Sequence, residues 1–463
     1  MAATADSQGF KQFFEKRILL GRPLTTELAA ILLVYFVQGI LGLARLAISF
    51  FLKDDLGLSP AEVAALTGLS TLPWTIKPLF GFLSDGLPIF GYRRRPYLFL
   101  SGLLGTAAWL VLAFWAHTVW LAATMIVLSS MSIAIADVIV DSLVVERARQ
   151  ESQGEAGTLQ SLSWGTSALG GLLTAYLGGL LLEFTTTQVV FGITATFPLI
   201  VSMVAWLIAE EPVTQATADS QPVREQIKQL KTAFSQRAIW MPALFLFLWQ
   251  STPSADAAFF FFTTNDLGFE PEFLGRVRLV TSLAALVGIA IFQRFLKTVP
   301  FRTIFAWATV LAAAGGMTTL LLVTHANRGL GIDDRWFSLG DSAILTVMGQ
   351  IAFMPVLVLS ARLCPPGVEA TLFALLMSIV NLAGLVSHEL GALLTQWLHV
   401  TETDFENLWL LVTITNLTTL LPLPLLFLLP SASASSDAEL AESSVEPPPN
   451  PNSPPPEPAL TSP

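Results

Sequence analysis

Long apolar stretches recur along this chain and constrain its fold more than any other feature of the sequence. A helix needs about 20 consecutive apolar residues to cross the hydrocarbon core of a bilayer. Stretches of roughly that length occur twelve times, at residues 27–52, 61–84, 97–115, 118–146, 157–183, 188–209, 238–262, 270–296, 301–324, 339–361, 369–396 and 406–430. The sequence therefore predicts an all-α integral membrane protein with twelve transmembrane helices.

The composition supports this prediction and excludes several other classes of protein. Of the 463 residues, 53% are hydrophobic and 13% are charged, whereas soluble domains carry about a quarter charged residues. With one cysteine and four scattered histidines, the chain is predicted to have no metal site and no cofactor. No Ser-His-Asp order or nucleotide-binding loop indicates an enzyme, and nothing indicates nucleic-acid binding.

The basic residues are distributed unevenly between the loops. Most of the 24 Lys and Arg residues lie before the first span or in loops that follow even-numbered spans. Because such loops stay on the cytoplasmic side, both termini are predicted to be cytoplasmic. The first residues lack the short apolar core and cleavage site of a signal peptide. We expect a prokaryotic plasma membrane, with a thylakoid membrane as the alternative.

Polar segments divide the chain into five predicted parts. Residues 1–26 form a cytoplasmic N-terminal segment, and residues 27–209 form a first bundle of six helices. Residues 210–237 form a cytoplasmic linker, and residues 238–430 form a second six-helix bundle. The Pro-rich tail at residues 431–463 is predicted to be disordered and cytoplasmic, without a role in transport.

An internal repeat relates the two predicted bundles. The first span ends in "KDDLGLSP" and the seventh in "TNDLGFEP", so that Asp-Leu-Gly at residues 55–57 matches residues 266–268. The same offset places Arg45 opposite Asp256. A parallel repeat at half the chain length predicts two pseudo-symmetric bundles related by an axis along the membrane normal.

Two aspartates interrupt the apolar run "IAIADVIVDSLVV" in the fourth span. Asp137 and Asp141 are four residues apart, so both carboxylates lie on one face of the helix. A charged residue at the centre of a spanning helix costs roughly 2.5–3.5 kcal/mol on insertion scales. We therefore expect that face to look into protein or into a watery cavity, and the pair is a candidate for taking up and releasing a proton. The alternative is a structural pair satisfied by a neighbouring arginine or by the backbone.

Further charges lie within the predicted spans. Arg45 and Asp256 are expected to face each other across the pseudo-twofold axis, either as a gate salt bridge or with Arg45 holding an anionic substrate group. Snorkelling of Arg45 to the outer interface is the alternative. Snorkelling is also the expected behaviour of Lys77, Arg276 and Arg278, which lie near helix ends.

Several uncharged polar or ionisable residues also lie within the spans and are candidates for substrate contacts. Each of them alone more often forms a hydrogen bond between helices. They are Gln38, Gln250, which matches Gln38 if one residue is gapped, Gln350, Asn381, His388 and Glu389.

The loop after the second span, "KPLFGFLSDGLPIFGYRRRPYL", has the composition of a gate. Gly81 is expected to let two helices approach closely, and Asp85 is expected to cap helix ends. Arg93, Arg94 and Arg95 are expected to bind Asp85 or neighbouring helix ends. Such a cluster would lock one state of an alternating-access transporter, and the alternative is a basic loop that serves only topology.

These motifs resemble a known family. "GFLSD" at residues 81–85 is similar to the loop motif of the major facilitator superfamily. The longer "KPLFGFLSDGLPIFGYRRRPY" resembles the folate–biopterin transporter branch of cyanobacteria, plastids and kinetoplastid parasites. "ADVIVDSLVVERAR" and "GTLQSLSWG" resemble the fourth and fifth helices of that branch. The resemblance covers residues 27–430, although "QRFLKTVPFRT" in the second half lacks Gly-x-Leu-x-Asp.

The resemblance implies a monomeric, proton-coupled transporter of folates or pterins with the major facilitator fold, in a cyanobacterial plasma membrane. Its partners would be the small-molecule substrate, protons and the lipid bilayer. A transporter of another organic anion or of a sugar is the first alternative. A membrane receptor or assembly protein that transports nothing is the second.

The resemblance also suggests how the substrate would be held. A carboxylate accepts the adjacent amino and ring N–H donors of a pterin, a role open to either aspartate of the fourth span or to Asp256. Trp164 would stack on the ring, with Gln160 one turn earlier on the same face. Arg45 would bind the glutamate tail of a folate.

Overall fold

A computed structural model describes residues 23, 25–148, 158–210, 212, 228, 231, 232, 234–363 and 369–430 of the chain. Throughout these residues the regular secondary structure is helical, apart from one isolated antiparallel bridge between Ile89 and Tyr92. The all-α prediction is therefore confirmed.

The observed helices match the twelve predicted stretches within a few residues at most ends. The first six are α1 (Thr26–Asp55), α2 (Pro60–Ser70, Leu72–Thr75 and Lys77–Gly86), α3 (Arg95–Phe114), α4 (Val119–Ala148), α5 (Thr158–Phe184) and α6 (Thr187–Leu207). The next six are α7 (Arg237–Gln250, Asp256–Phe261 and the π turn Phe262–Asp266), α8 (Pro271–Leu296), α9 (Phe301–Val323), α10 (Asp334–Arg362), α11 (Glu369–Trp397) and α12 (Leu408–Leu428).

Helices α2 and α7 are broken into separate segments, which the apolar pattern did not predict. Within the described residues, the other ten helices are long and apolar enough to cross a bilayer. Helix α2 breaks at Thr71 and Ile76, each two residues before a proline, and α7 breaks around Pro253. Proline lacks the N–H that continues a helix and disfavours helical backbone before it.

The predicted repeat has the same backbone conformation at both of its copies. Helices α1 and α7 both finish in a π turn, at Phe51–Asp55 and Phe262–Asp266. Gly57 and Gly268 follow with φ angles of 64° and 63°, in the left-handed region that favours glycine. A proline then begins the next helix in both copies. The repeat is therefore structural as well as sequential.

The two halves of the chain touch through small residues. A Cβ atom on Gly179 of α5 would lie 2.2 Å from the carbonyl oxygen of Pro271, and one on Gly275 of α8 would lie 2.9 Å from that of Tyr176. Helices α5 and α8 therefore meet backbone to backbone, as small residues permit in membranes. Helix α2 also packs closely against α11 at Gly68, where a Cβ atom would lie 2.9 Å from the Glu389 side chain.

These contacts lie at one end of the molecule, where α1 joins α2, α5 joins α6 and α7 joins α8. We call it the closed end. There the hydroxyl of Tyr176 donates to Glu272 at 2.8 Å, and the Phe50 and Phe260 rings meet edge to face at 5.2 Å. Phe261 of α7 joins an apolar cluster formed by helices of the first half. The distribution of basic residues predicts that the closed end is the outer one.

Candidate functional site

A central cavity of about 830 Å³ lies between the two halves. Its lining comes from α1, α2, α4 and α5 of the first half and from α8, α10 and α11 of the second. The lining extends to Leu357 and Phe373, near the end of the molecule opposite the closed end. A cavity of this size accommodates a small organic molecule.

The two aspartates of α4 both line this cavity, and each has a partner on another helix. Asp137 forms an ion pair with Lys77 of α2. The ammonium of Lys77 also lies 4.3 Å from the ring centroid of Trp74, which adds a cation–π contact. Asp141 accepts a hydrogen bond from the hydroxyl of Tyr35 of α1. The role of the two carboxylates in substrate or proton binding stays a prediction.

The prediction that Lys77 snorkels towards a membrane surface is wrong. Its side chain is only 17% exposed, and that of Asp137 is 15% exposed. Because α2 breaks at Ile76, Lys77 begins a new helical segment inside the protein rather than near the end of one continuous helix. The opposite charge of Asp137 offsets the cost of placing an ammonium there.

Two arginines, one from each half, line the same cavity. They are Arg45 of α1 and Arg278 of α8. In the part of the chain that the structure describes, neither guanidinium has an ion-pair or hydrogen-bond partner. The expected snorkelling of Arg278 is therefore wrong. Arg276, two residues earlier, is exposed and pairs with Glu272 at 2.7 Å.

The predicted contact between Arg45 and Asp256 is absent from the described residues. Arg45 faces the cavity, whereas Asp256 is exposed, does not line the cavity and lies in the first turn of the second segment of α7. A carboxylate in that position interacts favourably with the helix N-terminus. The break in α7 has no counterpart in α1, and the two equivalent positions therefore differ in orientation.

Two other predicted site residues belong to the cavity lining. Gln38 lies between Tyr35 and Arg45 on the same face of α1, and its side-chain nitrogen is buried without a partner among the described residues. Trp164 of α5 has 53% of its surface exposed. A ring that is exposed within a cavity is available to stack on a flat ligand.

The remaining predicted site residues lie outside the cavity lining or have side chains that are not among the described residues. Asn381 of α11 donates to the carbonyl oxygen of Trp74 at 3.3 Å and so joins the two halves rather than lining the cavity. Gln250 is the last residue of the first segment of α7 and is not among the lining residues. Gln160 lies on α5, but its side chain is outside the described residues.

Sequence reasoning missed Tyr35, Trp74, Lys77 and Arg278 as cavity residues. A signal for Tyr35 was present, because Tyr35, Gln38 and Arg45 are spaced three and seven residues apart and so form a polar stripe on one helix face. Arg278 is a charge within a predicted span, but no pattern on its helix predicted that it faces the cavity. Its position is set by how α8 packs against the first half.

The loop between α2 and α3 forms a compact polar cluster. Arg94 is buried, pairs with Asp85 at 2.8 Å and donates to the Ser84 hydroxyl at 3.0 Å. The predicted contact between the arginines and Asp85 is thus present for Arg94. Arg95 donates from its side chain to the carbonyl oxygen of Ile208 at 2.5 Å.

A carboxylate that the sequence did not single out completes this cluster. Glu210, just beyond α6, accepts hydrogen bonds from the backbone N–H groups of Arg93, Arg94 and Arg95 at 2.5, 2.9 and 2.9 Å. Three N–H groups at the start of α3 are therefore capped by one negative charge, which also suits the helix dipole. The arginine loop is held to the end of α6 by its backbone.

Gly81 does not mediate a close helix contact in this structure, and that expectation is wrong for the conformation observed. A Cβ atom at this position would meet a methyl carbon of Val138 at 3.7 Å, which is an ordinary van der Waals distance. Helices α2 and α4 therefore leave room for a methyl group here.

A family model described as the BT1 family matches residues 38–447 of the chain. The chain belongs to the BT1 family. The matched residues lie in both halves of the molecule and include at least part of every helix that lines the cavity.

Relatives of this BT1 family member are named as transporters. The "Folate-biopterin transporter" of Synechocystis sp. is 61% identical over 425 residues, covering 92% of this chain and 86% of the relative. The "Probable folate-biopterin transporter 2" of Arabidopsis thaliana is 35% identical over 402 residues, covering 85% of this chain and 80% of the relative. The resemblance to folate–biopterin transporters and the prediction of a transporter rather than an enzyme are confirmed.

A solved structure shows the same fold. The crystal structure of the nucleoside transporter NupG is similar with a TM-score of 0.67, covering 87% of this chain and 99% of that chain at 13% sequence identity. At that identity the likeness concerns the fold alone, and it confirms the predicted major facilitator fold. The BT1 family member is a multi-pass integral membrane protein.

Proposed function

We propose that this protein transports folates and pterins across the membrane by alternating access. The observation that carries the proposal is the central cavity, which both halves line and which holds carboxylates and guanidinium groups together. A pterin has adjacent N–H donors that a carboxylate accepts, and folates add carboxylates that arginines bind. The folate–biopterin transporter that is 61% identical to this chain supports this choice of cargo.

The pterin ring would bind between Trp164 and the aspartates of α4. Trp164 offers an exposed ring to stack on, and Asp137 and Asp141 offer acceptors on the facing helix. Both carboxylates already have partners, in Lys77 and Tyr35. The substrate would therefore share or displace the contacts of the two carboxylates with Lys77 and Tyr35.

Proton coupling is a second part of the proposal. Protonation of Asp137 would remove the charge that holds Lys77 and free the ammonium to move with α2. Asp141, hydrogen-bonded to Tyr35, is the second carboxylate that can carry the proton. Asp137, Asp141 and their partners would thus link the protonation state of the cavity to the positions of α1 and α2.

The observed conformation fits one state of the transport cycle. The backbone contacts between α5 and α8 and the Tyr176–Glu272 hydrogen bond lie at the closed end, while the cavity lining reaches towards the other end. With cytoplasmic termini, this is an inward-facing state. The gating role of Gly81, Asp85 and the three arginines belongs to the same proposal, since the Glu210-capped loop lies at the end that would close next.

The organisation and location of the protein complete the proposal. The first bundle spans residues 27–209 and the second spans residues 238–430, joined by the linker at residues 210–237. The protein acts as a monomer in a prokaryotic, cyanobacterial plasma membrane. Residues 1–26 and 431–463 lie in the cytoplasm.

Uptake into proteoliposomes tests this function. Purified protein is reconstituted, and entry of labelled folate and of labelled biopterin is followed with and without an inward proton gradient, with protein-free liposomes as the control. Saturable uptake of either compound, stimulated by the gradient, is expected. Uptake at the same rate with and without the proton gradient would contradict proton coupling. A protein that neither binds nor transports any folate or pterin would overturn the proposed cargo.

A further inference from the structure

The charges in the central cavity are separated along its length. Tyr35 and Arg45 both line the cavity from α1, and ten residues of helix correspond to about 15 Å. Tyr35 binds Asp141, next to the ion pair of Asp137 with Lys77. The aspartates therefore lie towards the open end of the cavity.

The two arginines lie towards the closed end. Arg45 is ten residues from the end of α1 at the closed end, and Arg278 is seven residues from the start of α8 there. The cavity is thus polarised, with carboxylates in one part and guanidinium groups in the other. An elongated molecule with hydrogen-bond donors at one end and negative charge at the other would be oriented by this polarity.

Among the described residues the arginine pair lacks protein counter-charge, in contrast to Lys77 and Asp137 in the same cavity. Lys77 has Asp137, but neither Arg45 nor Arg278 has an acidic partner within the described residues. Unpaired charges inside a membrane protein are costly and mark substrate pathways. Two guanidinium groups in one cavity also repel each other, so the site favours a ligand that supplies negative charge to both.

We propose that Arg45 and Arg278 each bind one carboxylate of a dicarboxylate cargo. This inference rests on the proposed function and narrows it: folates with a glutamate tail are preferred over pterins that lack one. Each guanidinium binds a carboxylate through a bidentate pair of charge-assisted hydrogen bonds. The pterin ring of the same molecule then lies towards Asp137 and Asp141.

The two arginines come from different halves of the transporter, which gives the contact a mechanical consequence. Arg45 lies on α1 of the first half and Arg278 on α8 of the second. A bound dianion attracts both and cancels their repulsion. A folate with a glutamate tail therefore links the two halves through its carboxylates. A pterin without this tail has no carboxylate to bind the arginine pair.

Binding measurements on the full-length protein in nanodiscs test this inference. The ligands are folate with two carboxylates, pteroate with one and biopterin with none. The variants are Arg45→Gln and Arg278→Gln, with Arg278→Lys as the conservative replacement. Arg294→Gln is the matched control, because Arg294 lies on the same helix but is exposed and outside the cavity.

Either glutamine substitution is expected to weaken folate binding about tenfold to a hundredfold, as for the loss of hydrogen bonds to a charged group. Pteroate is expected to lose less, and biopterin affinity is expected to stay within about twofold, which also shows that the variants are folded. Arg278→Lys is expected to recover part of the folate affinity, and Arg294→Gln to change none of the three affinities.

Three outcomes would overturn the inference. Equal losses for folate and biopterin would assign the arginines a structural or general role, and unchanged folate affinity in both variants would remove them from the site. In both cases wild-type binding of folate and biopterin would leave the proposed function standing. A wild-type protein that binds none of the three ligands would overturn the proposed function and this inference together.

Discussion

Lys77 and Asp137 form an ion pair inside the central cavity and so join α2 to α4. The pair lies where α2 restarts after its break at Ile76, and the Trp74 ring covers the ammonium from the other side of that break. A charge on a restarted helix can change position with that segment. Under the proposed proton coupling, we expect protonation of Asp137 to release the α2 segment that begins at Lys77.

Asp137→Asn is expected to abolish gradient-driven accumulation and to lower stability by about 1–3 kcal/mol, because Lys77 keeps its charge without a partner. The double variant Lys77→Gln with Asp137→Asn is expected to regain stability but not accumulation. Thermal unfolding in detergent and uptake in proteoliposomes measure the two effects. Unchanged uptake by Asp137→Asn would exclude this carboxylate from the mechanism.

Gly179→Leu is expected to stop transport by holding the closed end apart. Even the Cβ atom would lie 2.2 Å from the backbone oxygen of Pro271, and backbone atoms cannot rotate away as a flexible side chain can. Labelling of a cysteine introduced at Phe50 should increase, because α1 and α7 separate with the halves. Gly165→Leu is the control on the same helix, since the space around Gly165 is open. Normal uptake by the Gly179 variant would contradict the close α5–α8 contact.

Gly81→Ala is expected to keep uptake within about twofold of wild type. The added methyl group would contact Val138 at 3.7 Å, a distance at which dispersion is mildly favourable. Initial uptake rates at matched expression measure the effect. A strong loss of uptake with normal expression would show that α2 and α4 approach more closely at this point in another state of the cycle.

Glu210→Ala is expected to destabilise the protein by about 1–2 kcal/mol, because the N–H groups of Arg93, Arg94 and Arg95 lose their shared acceptor. Glu210→Gln keeps an acceptor without the charge and is expected to lose less. The midpoint of thermal unfolding reports both changes. Glu183→Ala, an exposed carboxylate at the end of α5, serves as the control. A Glu210→Ala variant as stable as this control would show that the cap contributes nothing.

Much of the architecture could be predicted from the sequence because its causes are local. Each apolar stretch must satisfy its backbone hydrogen bonds within itself to cross a bilayer, so hydropathy alone locates the helices. The Asp-Leu-Gly repeat predicted two pseudo-symmetric bundles, and its two copies have the same local backbone because glycine adopts the left-handed φ at residues 57 and 268 without strain. The four-residue spacing of Asp137 and Asp141 predicted a shared helix face, because residues four apart lie about one turn apart on a helix.

The pairing of charges within the site could not be predicted in this way. Arg45 and Asp256 occupy equivalent positions in the repeat, yet α7 is interrupted just before Asp256 while α1 continues through Arg45 with a short 3₁₀ segment at Leu41–Leu43. Each departure from 3.6 residues per turn changes the direction in which all the following side chains of the helix point. A match in sequence position therefore does not ensure a match in direction.

By itself the sequence determined that this is a membrane protein of two repeated halves with charged groups inside its helices. Only the tertiary structure decided that Lys77 neutralises Asp137, that Tyr35 binds Asp141, and that Arg278 shares a cavity with Arg45. Hydropathy and spacing are properties of one segment and its solvent. Partners on other helices depend on the breaks, rotations and packing of several segments at once, which come together only when the halves assemble around the cavity.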